Sequence, residues 1–309
     1  MTNPHIDCGG NPVTKGAAMG GSPLEGRTVV VTGAARGLGA ALVRDLARRG
    51  AKTALLGHEK PGLDEVAASL PTAALALEVD VTDDTALKSA AQEVRRCLGR
   101  PSAVVANAGV AEAGLFAASD PAVWRRVIDV NLSASALTAH TFLPDLMASR
   151  GYFLQIGSLA SIGAVPMMSA YCASKAGVEA FVHALRAEVA HHGVAVGIAY
   201  LNWVDTDMIR GDDASAALRA LRSHVPPPIR RVSEADVVAA RLAQAVERRR
   251  TALYVPVWLR LLQVARAALP PVVMRVSRRT LPRLEAERPL RPTGLLGAGG
   301  RADEPPGKP

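Results

Sequence analysis

The sequence has few cysteines and few lysines, and it lacks long apolar runs. The three cysteines among its 309 residues are Cys8, Cys97 and Cys172, and their spacing matches neither a metal site nor an even-numbered disulfide framework. No apolar run approaches the roughly 20 residues of a membrane-spanning helix. The first 22 residues lack the apolar stretch of a secretory signal. The expected compartment is therefore the reducing cytoplasm, and no metal ion is predicted.

Most of the chain carries no excess of positive charge, although the net charge of the whole chain is +8. Residues 1–209 carry 17 basic and 19 acidic side chains, whereas residues 210–309 carry 19 basic and 9 acidic ones. A basic C-terminal third can meet an anionic surface, or it can simply reflect arginine as the preferred surface cation. No RNA- or DNA-binding motif accompanies it, so no nucleic-acid partner is predicted.

Short apolar runs alternate with helical segments between residues 27 and 255. Strands are predicted at 28–32, 53–56, 74–79, 103–106, 152–156, 194–200 and 252–255. Helices are predicted at 40–49, 61–70, 83–98, 121–147 with a break near Asn131, 170–192 and 234–250. Because the strands are apolar on both faces, the pattern predicts a doubly wound, mostly parallel Rossmann-type α/β sheet with helices on both faces.

Composition divides the chain into four regions. A leader at 1–24 and a tail at 285–309 are rich in Gly and Pro and are predicted to be disordered. A single catalytic domain is expected at 25–256, with a long aperiodic loop at 205–232. An apolar and basic helical extension follows at 257–284.

A glycine-rich turn separates the first strand from the first helix. Its residues are Gly33, Arg36, Gly37, Leu38 and Gly39, in the spacing GxxxGxG. Glycines at such a turn allow the backbone to approach a pyrophosphate at a helix N-terminus. A tight loop of no further function would have the same composition, so the motifs downstream decide between the two interpretations.

Three further motifs follow in order, each near a strand end or on a helix. They are Asp80-Val81, Asn107-Ala108-Gly109 and the pair Tyr171 and Lys175 in a YxxxK pattern. With the glycine turn, they resemble the short-chain dehydrogenase/reductase family over residues 25–255. The resemblance implies that Asp80 and Val81 lie against the adenine of a nicotinamide cofactor. It also implies that residues 107–109 border the cofactor and steady the sheet.

The YxxxK spacing places Tyr171 and Lys175 on one face of a helix. An ammonium beside a phenol lowers the phenol's pKa from its reference value near ~10, and Tyr171 can then exchange a proton with an alcohol or a developing alkoxide. By resemblance, Lys175 also holds the nicotinamide ribose, Ser158 hydrogen-bonds the substrate oxygen, and Asn131 holds a water that relays protons.

The end of the second strand bears on the choice of cofactor. Gly57 stands where an acidic residue would bind the ribose of NAD, and His58 and Arg36 are basic residues suited to the 2′-phosphate of NADP. NADP(H) is therefore expected, with NAD(H) as the alternative because Glu59 is close by. The resemblance also places Val204 and Thr206 at the nicotinamide amide, although Leu201 and Asn202 replace the family's Pro-Gly pair.

These observations predict an NAD(P)-dependent enzyme that interconverts a secondary alcohol and a ketone, with a largely apolar substrate. The alternatives are an epimerase or dehydratase on the same fold, and a regulatory protein that binds nicotinamide cofactor without turnover. A homo-oligomer, either dimer or tetramer, is expected by resemblance. The extension at 257–283 is suited to peripheral membrane contact, to packing on a second subunit, or to packing beside the substrate mouth.

Overall fold

The computed structural model describes residues 21–210, 227–287, 292–296 and 300. Most of the leader predicted to be disordered, and much of the aperiodic loop, lie outside these residues. Leu24, at the end of that leader, is buried in the core. The described residues therefore include all the predicted motifs and the C-terminal extension at 257–284.

Seven strands form one parallel sheet in the order β3-β2-β1-β4-β5-β6-β7. The strands are β1 Thr28–Thr32, β2 Lys52–Gly57, β3 Ala74–Glu78, β4 Pro101–Ala106, β5 Tyr152–Ile156, β6 Ala195–Leu201 and β7 Ala252–Val255. Every strand pair in this sheet is parallel. The Rossmann-type prediction is therefore confirmed. The strand order reverses between β1 and β4, where folds of this class hold their ligands.

Helices cover both faces of the sheet. They are α1 Gly37–Arg48, α2 Lys60–Ala68, α3 Asp84–Leu98, α4 Pro121–Ile128, α5 Ala134–Ser149, α6 Leu159–Ile162, α7 Ser169–Val189, α8 Asp207–Arg210, α9 Pro227–Arg230, α10 Ala235–Glu247, α11 Leu259–Val264 and α12 Leu269–Glu287. Alternate strand residues enter two cores, since Val29 and Val31 of β1 pack on one face and Val30 on the other. Burial on both faces explains the unbroken apolar strands of the sequence.

Two helix details set up the site. The first helix starts at Gly37, three residues before the predicted start, because the end of the glycine turn is itself its first turn. The break predicted near Asn131 is a π-helical turn, Asp129–Ser133, between α4 and α5. Such turns often occur at functional sites.

The C-terminal extension contains α11, a short 3-10 turn at Arg266–Ala268, and α12. Arg266 pairs with Glu179 of α7, and Gln263 hydrogen-bonds the same carboxylate at 2.6 Å. These two contacts tie the extension to the helix that carries the YxxxK pair. None of the described helices is long and apolar enough to cross a membrane.

The structure differs from the prediction of disorder over 285–309. α12 continues to Glu287, and residues 292–296 lie against the segment that follows β4. Leu295 and Leu296 are buried. These two leucines find apolar partners in the folded domain, which a Gly- and Pro-rich composition does not indicate. The remainder of the tail lies outside the described residues.

Candidate active site

A cavity of about 300 Å³ opens at the carboxyl edge of the sheet, beside the switch between β1 and β4. It runs from the glycine turn to α7. The predicted site residues that line it are Gly33, Arg36, Gly37, Leu38, Gly39, His58, Val81, Asn107, Ala108, Gly109, Ser158, Tyr171, Lys175, Val204 and Thr206. Asp80 and Asn131 lie next to lining residues. Motifs separated by more than a hundred residues in sequence thus meet in one cavity.

The glycine turn is shaped by backbone geometry that other residues resist. Gly33 and Gly37 have φ values of +64° and +51°. Gly39 has no room for a side chain, since an added Cβ would lie 2.1 Å from the Gly33 carbonyl oxygen. Arg36, at the N-cap of α1, makes no side-chain capping hydrogen bond, so within the described chain the first-turn amides face the cavity without a side-chain cap. The turn is therefore suited to a phosphate.

Asn107 ties β4 to the glycine turn. Its amide donates to the carbonyl oxygens of Thr32 at 2.9 Å and Gly33 at 3.1 Å. The backbone amides of Asn107 and Ala108 both donate to the Thr32 hydroxyl at 3.0 Å. This arrangement holds together the two strand ends at which the sheet order reverses.

Tyr171 and Ser158 both line the cavity, and a side-chain hydrogen bond joins them. Ser158 is also the N-cap of α6, and its hydroxyl accepts from the amide of Ala160 at 3.1 Å. Burial raises the pKa of the Tyr171 phenol, and the hydrogen bond with Ser158 offsets only part of that rise. The sequence predicts a lowered phenol pKa, but in the folded chain desolvation is the largest effect and the pKa rises instead.

Lys175 is buried one helical turn from Tyr171, on the same face of α7. Its Nζ donates to the carbonyl oxygen of Ile156 at 3.1 Å and lies 5.6 Å from the centre of the Tyr171 ring. Burial lowers the pKa of Lys175 to about 8. At neutral pH the side chain is still mostly an ammonium, placed where it can act on the phenol or on a ligand.

Asn131 is fully buried in the π-helical turn. Its Oδ1 accepts from the amide of Val110 at 2.8 Å, and its Nδ2 donates to the Val110 carbonyl at 2.9 Å and to the Ser174 hydroxyl at 3.0 Å. An added Cβ on Gly109 would lie 3.1 Å from Asn131 Oδ1 and 3.7 Å from Lys175 Nζ. Asn131 thus joins the segment after β4 to α7 beside the lysine.

A cluster of charged residues borders the other end of the cavity. Arg36 pairs with Glu59, and His58 lies 3.7 Å from the carboxylate of Asp80. Although partial burial works against it, hydrogen bonds from Thr82 and the charge of Arg126 lower the pKa of Asp80. The Asp80 carboxylate is thus engaged with protein partners.

Comparison with known proteins identifies the family. A model of the short chain dehydrogenase family matches residues 27–216. The chain belongs to the short-chain dehydrogenase/reductase family. It is 33% identical over 229 residues to cis-4-hydroxycyclohexanecarboxylate dehydrogenase of Sinomonas cyclohexanicum, covering 72% of this chain and 90% of that protein. It is 31% identical over 200 residues to the 3-oxoacyl-(acyl-carrier-protein) reductase FabG of Escherichia coli strain K12, covering 64% of this chain and 82% of that one.

Structural comparison agrees on the fold. The crystal structure of gox2181 superimposes with a TM-score of 0.68 at 24% identity, covering 75% of this chain and 94% of that chain. On the basis of the family match and the relatives, the protein is an NAD(P)-dependent short-chain dehydrogenase/reductase. The glycine turn fits such a cofactor, because Gly33, Gly37 and Gly39 line one end of the cavity without side chains and the cavity continues from there to Lys175.

The substrate end of the dehydrogenase/reductase contains residues that sequence reasoning missed. Apolar side chains line it on several sides, from Val110, Ala111, Val165, Met168, Trp203, Met208, Ile209 and Leu296. Gly300 lines it as well. Met208 and Ile209 belong to the loop predicted at 205–232, and residues 211–226 of that loop lie outside the described chain. For the tail residues, the sequence signal is the adjacent pair Leu295 and Leu296, which stands out in a Gly-rich segment.

Proposed function

We propose that this enzyme interconverts an apolar secondary alcohol and its ketone with NADP(H), using Tyr171 as the proton-transferring residue. The observation that carries the proposal is the meeting of Ser158, Tyr171 and Lys175 in one cavity with the glycine turn. The apolar walls around this group support the choice of substrate class.

In the direction of reduction, the Tyr171 hydroxyl donates its proton to the carbonyl oxygen as negative charge develops there. Burial keeps the phenol protonated at neutral pH, which suits the role of general acid. Ser158 also hydrogen-bonds that oxygen and shares the developing charge. The bound nicotinamide supplies the hydride. In oxidation, Tyr171 accepts the alcohol proton instead.

Lys175 and Asn131 support this pair. The Lys175 ammonium stabilises the phenolate that forms when Tyr171 gives up its proton, and it binds the ribose hydroxyls of the cofactor. Asn131 hydrogen-bonds Val110 and Ser174 beside Lys175. A water that relays protons to solvent would bind in this corner, between Asn131 and Lys175. Gly109 leaves the corner open, because a Cβ there would crowd Asn131 Oδ1.

The direct test is reduction of apolar cyclic and linear ketones by the purified chain with NADPH, with product identified by mass spectrometry. We expect stoichiometric loss of NADPH and appearance of the secondary alcohol. An isomerised or dehydrated product without net oxidation of NADPH would instead support the epimerase or dehydratase. Tight NADPH binding without turnover of any carbonyl compound would support the regulatory protein.

The charged cluster at the far end of the cavity supports a preference for NADP(H). Gly57 leaves space at the end of β2, and Arg36 and His58 line the same part of the cavity. Glu59 lines this part of the cavity too, and its carboxylate forms an ion pair with Arg36. A 2′-phosphate would replace this carboxylate as the partner of Arg36.

Two substitutions test this preference. Arg36→Leu should weaken NADPH binding by about tenfold or more, since a hydrogen bond to a charged group is worth about 1.5–3 kcal/mol. Glu59→Gln should tighten NADPH binding, because the phosphate no longer competes with a carboxylate. Fluorescence titration with NADPH and NADH measures both. Arg48→Leu, near the far end of α1, is the control, and equal effects of Arg36→Leu on NADPH and NADH would refute the assignment.

We infer a homo-oligomer, because members of this family are commonly oligomeric. The long helices α5 and α7 are the expected interface, which would give a dimer or tetramer. Light scattering of the purified chain gives the mass directly, and a monomer at micromolar concentration would exclude this inference.

We further propose that the extension contacts an anionic membrane surface. Six of the eight large apolar side chains that are exposed in the described chain lie on it: Val257, Leu261, Val264, Val272, Met274 and Val276. Residues 248–284 contain nine arginines and neither Asp nor Glu. A second copy is a poor partner for this surface, since a two-fold contact would set arginines against arginines. Anionic lipid complements both the charge and the apolar side chains.

Sedimentation with vesicles tests the membrane proposal. We expect binding to vesicles that contain phosphatidylserine, weaker binding at high salt, and no binding to phosphatidylcholine alone. A Leu261→Ser/Val264→Ser double substitution should reduce binding, because both side chains are exposed and their loss spares the core. Val237→Ser, which changes another exposed apolar side chain, on α10, is the control. Failure to bind anionic vesicles at low salt would refute the proposal.

A further inference from the structure

We propose that residues 292–296 form one wall of the substrate site, and that Leu296 sets the size of the substrate group accepted beside Tyr171. This inference rests on the proposed alcohol/ketone chemistry and deepens it. The segment lies beyond residue 216, where the match to the family model ends. The wall is therefore built by a part of the chain that the family match does not include.

Backbone hydrogen bonds hold the segment in place. The amide of Thr293 donates to the carbonyl oxygen of Ala113 at 2.9 Å, and the amide of Leu296 donates to that of Ala111 at 2.7 Å. The amide of Ala113 donates back to the Thr293 hydroxyl at 3.0 Å. Because the Leu296 bond uses only backbone atoms, the segment can stay docked when the Leu296 side chain is changed.

A glycine on the opposite side fits this docking. Gly114 has a φ of +155°, and an added Cβ there would lie 2.6 Å from the Cα of Pro292. Only a residue without a side chain lets the two backbones approach so closely. Close approach at Gly114 and hydrogen bonding at Ala111 and Ala113 place the segment along the whole stretch that follows β4.

The two buried leucines point into different surroundings. Leu295 packs with Val127, Val130 and Ala170 and does not itself line the cavity. Leu296 packs with Ala111, Ala113 and Met168, with Tyr171 at the edge of the cluster, and it lines the cavity. Leu295 therefore anchors the segment, whereas Leu296 lines the proposed substrate site.

The extension has a second attachment that keeps the segment close. Leu284 of α12 is buried against Met167, which precedes the YxxxK helix. The carbonyl oxygen of Met167 also accepts the amide of Gly114 at 2.8 Å. The residues before α7, those after β4 and the extension therefore pack together around the mouth of the site.

Selectivity among ketones tests the role of Leu296. Leu296→Ala should raise KM for the smallest apolar ketones that the enzyme reduces by about tenfold and shift the optimum of kcat/KM toward larger ones, since one methylene group in an apolar pocket changes discrimination by about tenfold or more. NADPH affinity should not change. Leu296→Phe should move the optimum toward smaller ketones. Leu295→Ala, similarly buried but outside the cavity lining, is the matched control.

Hydrogen exchange of the wild-type amides at Ala113 and Leu296 tests the docking without any substrate. Protection at both positions is expected, whether or not a ketone is turned over. Rapid exchange at both would overturn the wall. An unshifted ketone profile in Leu296→Ala, or the same shift in Leu295→Ala, would overturn the role of Leu296. Protected amides in a chain that reduces no ketone would refute the proposed function and leave the docked segment standing.

Discussion

Replacing Tyr171 by phenylalanine should lower kcat for ketone reduction by about 10²–10⁴-fold, the range that a positioned general acid contributes. The change removes one oxygen and keeps the ring that packs against the substrate end of the cavity. NADPH binding should persist, because the glycine turn and Lys175 are untouched. Single-turnover kinetics with NADPH and an apolar ketone separate the chemical step from cofactor binding.

The matched control is Tyr254→Phe. Tyr254 stacks on Tyr200, with ring centres 4.8 Å apart, and neither residue lines the cavity that contains Tyr171. The same chemical change there should leave kcat unaltered. Equal losses in the two variants would point to general destabilisation, and full activity of Tyr171→Phe would rule out Tyr171 as the proton donor.

Gly39→Ala should abolish measurable NADPH binding and lower the free energy of unfolding by about 1–3 kcal/mol, as overpacking typically does. The added Cβ would lie 2.1 Å from the Gly33 carbonyl oxygen and 2.7 Å from Asn107 Nδ2. Relief requires moving the turn itself, because that carbonyl also accepts a hydrogen bond from Asn107. Fluorescence titration and thermal unfolding give the two effects.

Gly62→Ala is the control for this prediction. Gly62 lies in the first turn of α2 beside the same turn, and an added Cβ would lie 3.3 Å from the Ala35 carbonyl oxygen, a tight contact that a shift of a few tenths of an ångström relieves. Alanine in a helix interior is also favoured over glycine by roughly 1 kcal/mol. This variant should bind NADPH normally. Normal NADPH affinity in Gly39→Ala would show that the cofactor does not depend on the close packing of the turn.

The glycine turn and the Tyr171–Lys175 pair were largely predictable from sequence. Gly33, Gly37 and Gly39 were recognisable because a tight turn between a strand and a helix restricts which residues can occupy it. Tyr171 and Lys175 were recognisable because the helical repeat brings positions i and i+4 together. Each of these inferences depends on local geometry, which a short stretch of sequence specifies by itself.

The electrostatics of the site needed the tertiary structure. The sequence predicts a lowered pKa for Tyr171 from the nearby Lys175. In the folded chain, burial raises the pKa of Tyr171 and lowers that of Lys175 to about 8. Desolvation depends on every element packed around a group, so it cannot be read from the spacing of two residues.

The sequence by itself determined the parallel α/β fold, the glycine turn and the Tyr171–Lys175 pair. The tertiary structure alone decided that Arg36 pairs with Glu59 and that Leu296 returns to the substrate end. The physical reason is range. Periodicity and turn geometry act over a few residues, whereas a contact between residues 111 and 296 depends on how the whole chain packs.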